Sequence, residues 1–132
     1  METTEKLMGI TLIDDTEEFE YQPYPKTKPE VKIIYRRMTE AEQGVARAKH
    51  TKDDRNGAAD EYAIGGEVLK FGLIRFENVF TKTGTVAPCT LENLRKLDAW
   101  IVERMIMIIC GRMPGYVHVP LSQGQDSSQN SK

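Results

Sequence analysis

The sequence has little of what disulfide, metal and cofactor sites require. Its 132 residues include only two cysteines, two histidines and one tryptophan. Two cysteines cannot build the disulfide framework of a small secreted domain. The cysteines and histidines also lack the spacing of a zinc site, since they stand far apart at Cys89, Cys110, His50 and His118. We therefore expect no metal and no cofactor.

Long apolar runs and an excess of one charge are also missing. No run reaches the roughly 18 apolar residues of a membrane-spanning helix, and Met1–Glu5 lack the basic start of a signal peptide. Lys and Arg total 18 against 20 Asp and Glu, so bulk charge provides neither a nucleic-acid nor a membrane surface. The sequence predicts a single small domain in a reducing compartment, the cytoplasm.

No catalytic or phosphate-binding motif is present. The Gly65–Gly66 pair belongs to neither a P-loop nor a dinucleotide-binding motif. Cys89 precedes a predicted helix, where a thiol pKa can be lowered, but it lies in no nucleophile signature. The acidic Asp53–Asp54 pair lacks calcium-loop spacing. We expect a protein that is not an enzyme, and an enzyme that uses Cys89 or this acidic loop is the minority hypothesis.

What the sequence does contain is an uneven distribution of charge. Residues 1–22 hold seven Asp and Glu residues against one lysine, and three prolines follow among lysines. This composition predicts an acidic arm and a proline-rich connector over residues 1–29, either solvated or docked as a strand on a partner. Residues 120–132 are rich in Ser, Gln and Asn, which predicts a disordered polar tail. The folded domain is then residues 30–119.

Periodicity predicts the first elements of that domain. Partial alternation of apolar and charged residues predicts a strand over residues 31–37. Thr39 and Glu42 have the spacing of a capping box, which opens a first helix. Asp60 is in position to cap a second helix, predicted over residues 61–76. Three glycines, Gly65, Gly66 and Gly72, lower the helix propensity of this segment. They would, however, let another helix approach closely.

The strongest helical pattern covers residues 90–110. Thr90 stands at the N-cap position and Gly111 at the C-cap position. The side chains of the five successive apolar residues 105–109 point in all directions around the helix axis, at 100° steps. The side that does not face the core must therefore be buried by another element or by a partner. We expect this region to bind a partner or a second copy, and a plain core helix is the alternative. The candidate partner-binding residues are Trp100, Met105, Met107, Ile108 and Met113.

These elements together predict an α+β fold. Two to three helices should pack in a single small domain with a small antiparallel sheet. The strand at residues 31–37 and a hairpin at residues 76–88, turning around Gly84, should form that sheet.

The order of the elements resembles a known family. Arg36-Arg37 precede the first capped helix, Phe76-Glu77-Asn78-Val79 precede a glycine turn, and Thr90-Leu91-Glu92-Asn93-Leu94 open the final helix. Over about residues 30–110 this order is similar to the tail assembly chaperone group of bacteriophage and prophage tail proteins. The resemblance implies a non-enzymatic protein of the bacterial host cytoplasm that binds the tape-measure protein or tail-tube subunits.

A second hypothesis comes from the basic segment at residues 32–55. Residues 30–56 contain seven Lys and Arg residues against five Asp and Glu residues. Such interleaving is typical of a solvated, salt-bridged face. That pattern speaks against a nucleic-acid surface, but the seven cations leave a small nucleic-acid-binding regulator that uses this segment as the alternative function. Its binding would weaken steeply with added salt.

Overall fold

The part of the chain that the structure describes contains four strands and four helices. The structure is a computed structural model, and it describes residues 10–51 and 58–121. The strands are β1 (Glu18–Tyr21), β2 (Lys32–Arg36), β3 (Leu73–Glu77) and β4 (Val119–Pro120). The helices are α1 (Glu40–Lys49), α2 (Glu61–Gly72), α3 (Leu91–Leu94) and α4 (Ala99–Cys110). This architecture confirms the predicted α+β class.

The strands form one antiparallel sheet in the order β3-β2-β1-β4. Its core face carries aromatic and aliphatic side chains, with Phe19 paired opposite Tyr35 and Ile33 opposite Phe76. The helices pack on this face, where their buried residues join those of the sheet in one hydrophobic core. The other face carries charged residues, since successive side chains of a strand point to opposite sides. Lys32 Nζ lies 3.3 Å from Glu20 Oε1 there.

Strand β1 corrects the predicted domain boundary. Residues 18–21 were expected in an acidic arm outside the domain, yet β1 pairs with both β2 and β4. The side chains of Phe19 and Tyr21 are only 6% and 7% exposed. Alternation with two glutamates puts both aromatic rings on the core face, a pattern that the count of acidic residues concealed. At the other end, Pro120 belongs to β4, so residues 30–119 do not bound the fold.

Several predictions concern residues outside the described ranges. The expected disorder of the tail falls on residues 122–132, most of the loop between the first two helices on residues 52–57, and part of the N-terminal arm on residues 1–9. These predictions stay untested.

The predicted helix caps are confirmed. Glu42 N–H donates to Thr39 Oγ1, and Thr39 N–H donates to Glu42 Oε1, which completes the capping box. The Asp60 and Thr90 side chains each accept a hydrogen bond from the backbone N–H three residues later. Gly111 has φ 70°, the left-handed conformation of a C-terminal cap.

Two predicted helices are longer than the real ones. The second was predicted over residues 61–76, but α2 ends at Gly72 and the next residues form β3. The hairpin predicted over residues 76–88 therefore contributes almost no residues to the sheet, because β3 ends at Glu77. The turn beyond it contains one isolated β-bridge, between Phe80 and Val86. The helix predicted over residues 90–110 is two helices, α3 and α4, which are separated by a turn at residues 95–98.

The glycines of α2 do admit a neighbouring helix, as predicted. A Cβ atom on Gly65 would lie 3.0 Å from Ile106 Cδ1. A Cβ atom on Gly72 would lie 2.6 Å from Ile109 Cδ1 and 2.9 Å from both Cγ atoms of that side chain. The whole Ile109 side chain therefore occupies the space that any other residue at position 72 would need.

We predict that Gly72→Ala destabilises the fold, by about 1–3 kcal/mol, because an added methyl group overpacks this contact. Gly44→Ala is the matched control, since a Cβ atom there meets nothing within 4 Å in helix α1. Removing a helical glycine at that open position should stabilise the protein by about 0.5–1 kcal/mol. Urea unfolding of both variants measures the two free energies. Equal stability of the two variants would contradict the close packing of α2 on α4.

Candidate protein-binding surface

Helix α4 carries an exposed ridge of aromatic, basic and sulfur-containing side chains. Trp100 and Met107 are each 42% exposed and lie on the same side of the helix, two turns apart. The Tyr24 ring packs edge-on against Trp100, with ring centroids 5.8 Å apart. The Arg104 guanidinium lies 5.8 Å from the Trp100 ring centroid. We call these four residues the α4 ridge.

A hydrogen bond at the start of α4 holds the ridge in place. The Tyr24 hydroxyl donates a 2.9 Å hydrogen bond to Asp98 Oδ2 at the start of α4. This bond raises the pKa of Tyr24, because it stabilises the protonated phenol next to a carboxylate. Tyr24, which lies in the proline-rich connector, is thereby fixed against the Trp100 ring.

The predicted partner-binding residues are divided between this ridge and the core. Trp100 and Met107 are exposed, whereas Met105 is 0% and Ile108 1% exposed. These two side chains cannot contact a partner, so their assignment was wrong. Met113 is partly buried against the core. Helix α4 turns Met105 and Ile108 to the same side as buried Ile101, which the uniformly apolar sequence could not reveal.

A second apolar surface lies between α2 and α4. A groove of about 600 Å³ is lined by residues that include Tyr62, Val102 and Ile106. Gly65 and Ile106 also line an adjoining pocket of about 220 Å³, which extends the groove to Cys110. We call the two together the α2/α4 groove. Its only signal in the sequence was the glycine at position 65.

An arginine stands at each end of the α2/α4 groove. The Arg95 guanidinium stacks on the Tyr62 ring at 3.8 Å and donates to the Tyr62 carbonyl oxygen at 2.9 Å. At the other end, Arg112 donates to Gln43 Oε1 at 3.0 Å. Both arginines therefore donate hydrogen bonds to uncharged partners. The lining also contains two carboxylates: Glu103, and Glu61, which pairs with Arg47 and whose pKa is lowered in part by the charge of Arg112.

His118 and Tyr35 form a polar contact inside an aromatic cluster. The Tyr35 hydroxyl lies 2.7 Å from His118 Nδ1, and the His118 ring packs against Phe19 and Tyr116 at centroid distances of 5.3 and 5.0 Å. Burial, with the nearby charge of Arg37, lowers the pKa of His118 to about 4. His118 is therefore neutral near pH 7, and its Nδ1 shares a hydrogen bond with the Tyr35 hydroxyl. This contact joins the chain before β4 to the sheet.

The candidate catalytic and metal-binding groups find no support among the described residues. Burial raises the pKa of the Cys89 thiol to about 11, so the helix start does not lower it. No group of three or more His, Cys, Asp or Glu side chains in residues 10–51 and 58–121 could hold a metal ion. The acidic pair Asp53–Asp54 lies outside those ranges.

Most described cations of the basic segment have partners within the chain. Besides the pair of Lys32 and Glu20, Arg47 lies 2.9 Å from Glu61 and Lys49 lies 3.6 Å from Glu67. Arg36 donates its Nε–H to the Phe71 carbonyl oxygen at 2.8 Å. Lys52 and Arg55 lie outside the described residues. A nucleic-acid surface on this segment would have to compete with these existing contacts, which weakens that alternative.

No helix in the described part of the chain is long and apolar enough to cross a membrane. Comparison with family models, curated proteins and solved structures gives no match to this chain. The function is therefore inferred from the α4 ridge and the α2/α4 groove.

We predict that the protein loses thermal stability as the pH falls from about 6.5 to about 4. The pKa of His118 is about 4 in the folded protein against about 6.5 for an unperturbed histidine. Between these values the unfolded chain binds the proton more readily, so acid favours unfolding. Melting temperatures across this range measure the effect.

His118→Asn is the control, because the asparagine side chain can donate or accept a hydrogen bond with the Tyr35 hydroxyl but does not titrate. Its melting temperature should fall less steeply with acid than that of the parent. Identical pH profiles for the two proteins would show that other groups cause the loss.

Proposed function

We propose that this protein is a non-enzymatic assembly factor for phage tails, and that it binds the tape-measure protein or tail-tube subunits through the α4 ridge. One observation carries the protein-binding part of the proposal. A tryptophan and a methionine remain 42% exposed, side by side with a tyrosine and an arginine, on a helix whose other side is the core. The resemblance of residues 30–110 to tail assembly chaperones supports the choice of partner.

The composition of the α4 ridge is that of an interface centre. Tryptophan, tyrosine and arginine dominate the residues that contribute most to protein–protein affinity, and methionine is also enriched there. Met107 can adapt to the shape of a partner, since its unbranched side chain has several rotatable bonds. Arg104 beside Trp100 favours a partner segment that presents a carboxylate next to apolar side chains.

The ridge is also ordered before any partner binds. The hydrogen bond from Tyr24 to Asp98 and the edge-on packing of Tyr24 against Trp100 hold both rings in place. Binding to a preordered surface loses less conformational entropy than binding to free side chains. A surface with two fixed aromatic rings suits the reversible capture of a partner segment.

The test is direct binding to purified tail proteins encoded in the same genome. We predict that Trp100→Ala weakens binding of the tape-measure protein or of tail-tube subunits by about tenfold or more, as truncation of an interface-centre residue does. Met107→Glu should weaken it as well, because it puts a charge into an apolar contact. Isothermal titration calorimetry measures both dissociation constants, and circular dichroism confirms that each variant is folded.

Val86→Ala is the matched control, since Val86 is an apolar residue, 72% exposed, in the turn that follows β3 and outside the α4 ridge. It should bind like the parent. A parent that binds no tail protein, or a Trp100→Ala variant that binds unchanged, would contradict the proposal. Binding of the parent to duplex DNA, with an affinity that falls steeply between 50 and 200 mM salt, would instead support the nucleic-acid alternative.

A further inference from the structure

The described part of the N-terminal arm exposes two large apolar side chains. Ile10 is 99% and Leu12 91% exposed, and both lie in a stretch without helix or strand structure. The two residues are two positions apart, so in an extended conformation their side chains form one apolar edge. Among the exposed large apolar residues of the described chain they have the highest exposed fractions.

A turn directs this edge away from its own domain. Asp14 Oδ1 accepts hydrogen bonds from the backbone N–H and the hydroxyl of Thr16, at 2.9 and 2.6 Å. The Glu17 N–H donates to the Asp14 carbonyl oxygen at 3.2 Å. The chain therefore turns sharply just before β1, and Ile10 and Leu12 make little contact with the protein that carries them.

The edges of the sheet are poor acceptors for an added strand. Strand β3 has an irregular register with β2, since Ile34 pairs with Arg75 but Tyr35 pairs with Leu73. Such a bulge protects an edge strand against further pairing. The opposite edge is β4, which has two residues and ends in Pro120. Proline provides no N–H for an added strand.

The α2/α4 groove fits the arm in length. Helix α4, which forms one wall, has 12 residues and is therefore about 18 Å long. Residues 10–15 in extended conformation span about 20 Å. The groove lining is apolar over most of this length, with Val102 and Ile106 on one wall and Tyr62 on the other.

The arginines of the groove offer partners for the acidic end of the arm, although the lining also includes two carboxylates, Glu61 and Glu103. Asp14 and Asp15 follow the apolar edge directly, and the α2/α4 groove has Arg95 at one end and Arg112 at the other. Within its own chain, Asp15 faces a like charge. A hydrogen bond with Glu42 and the charge of that carboxylate raise the pKa of Asp15, so an arginine would be a more favourable partner.

We infer that the apolar arm of one copy binds in the α2/α4 groove of a second copy. Ile10 and Leu12 would pack against Val102 and Ile106, and the aspartates would pair with the arginine at the end of the groove. Each copy has one arm and one groove, so the contact is either reciprocal in a two-fold dimer or repeated head to tail. This inference does not rest on the proposed function, because the α4 ridge takes no part in it.

The test measures molecular mass by light scattering coupled to size-exclusion chromatography, with the full chain at about 100 μM. The parent should have at least twice the 15.0 kDa mass of one chain. Ile10→Asp with Leu12→Asp, the arm variant, should be a folded monomer, since both side chains are exposed in the single chain. Val86→Asp with Val117→Asp adds the same charges at other exposed positions and should keep the parent's mass.

A groove variant tests the other half of the contact. Tyr62→Glu with Arg112→Glu changes two exposed residues at the rim of the groove and would repel the aspartates of the arm, so this variant should also be a folded monomer. Mixing it with the arm variant should give a 1:1 heterodimer, because one supplies an intact arm and the other an intact groove.

Several results would overturn the inference. These are a monomeric parent, an arm or groove variant that keeps the parent's mass, or a mixture of the two variants that forms no heterodimer. Trp100→Ala should self-associate like the parent even where it no longer binds a tail protein. Failure of the arm contact and failure of the proposed function are therefore separate results.

Discussion

The contact between Gly72 and Ile109 fixes the position of helix α4, on which the core and both binding surfaces depend. Because Gly72 has no side chain, Ile109 packs directly on the backbone of α2. The end of α4 is thereby brought to the sheet and to α1. The Met38 N–H donates to the Ile109 carbonyl oxygen at 2.9 Å, and the Gln43 amide donates to the Cys110 carbonyl oxygen at 3.0 Å. These two carbonyl groups belong to the last turn of α4, which has no partners for them within the helix.

This fixed position divides the surface of an almost entirely apolar helix into three parts. Ile101 and Met105 face the core, Val102 and Ile106 face the α2/α4 groove, and Trp100 and Met107 face solvent on the α4 ridge. A helix of this composition would be fully covered in a larger protein. Here the chain covers the first part completely and the second only in part. The exposed apolar surface is therefore a consequence of fold size as much as of local sequence.

The sequence predicted the local features of this structure and missed those that depend on distant partners. Thr39, Asp60 and Gly111 were assigned correctly because a cap is made by residues a few positions apart. Strands β1 and β3 were missed, since their formation depends on pairing with β2 rather than on their own composition. The break between α3 and α4 was missed because Leu94 and Ile101 keep helical spacing across it, although the chain turns between them. Among the candidate binding residues, Met105 and Met107 are two positions apart in a uniformly apolar run, and only the docking of α4 on α2 decides which of them is buried.

The pairing of surface charges limits how partners can recognise this protein. Lys32, Arg47 and Lys49 each lie beside a glutamate of the same chain. The exposed pairs of Arg47 and Lys49 contribute little to stability, whereas the Lys32–Glu20 pair is more buried. They do cancel the local charge of these three cations, so this part of the surface contributes little to steering a partner by charge over a distance. The recognition proposed for the α4 ridge and the α2/α4 groove would then depend on short-range contact with their apolar side chains. For such surfaces, differences in affinity between partners arise mainly in the rate of dissociation, which the fit of these side chains controls.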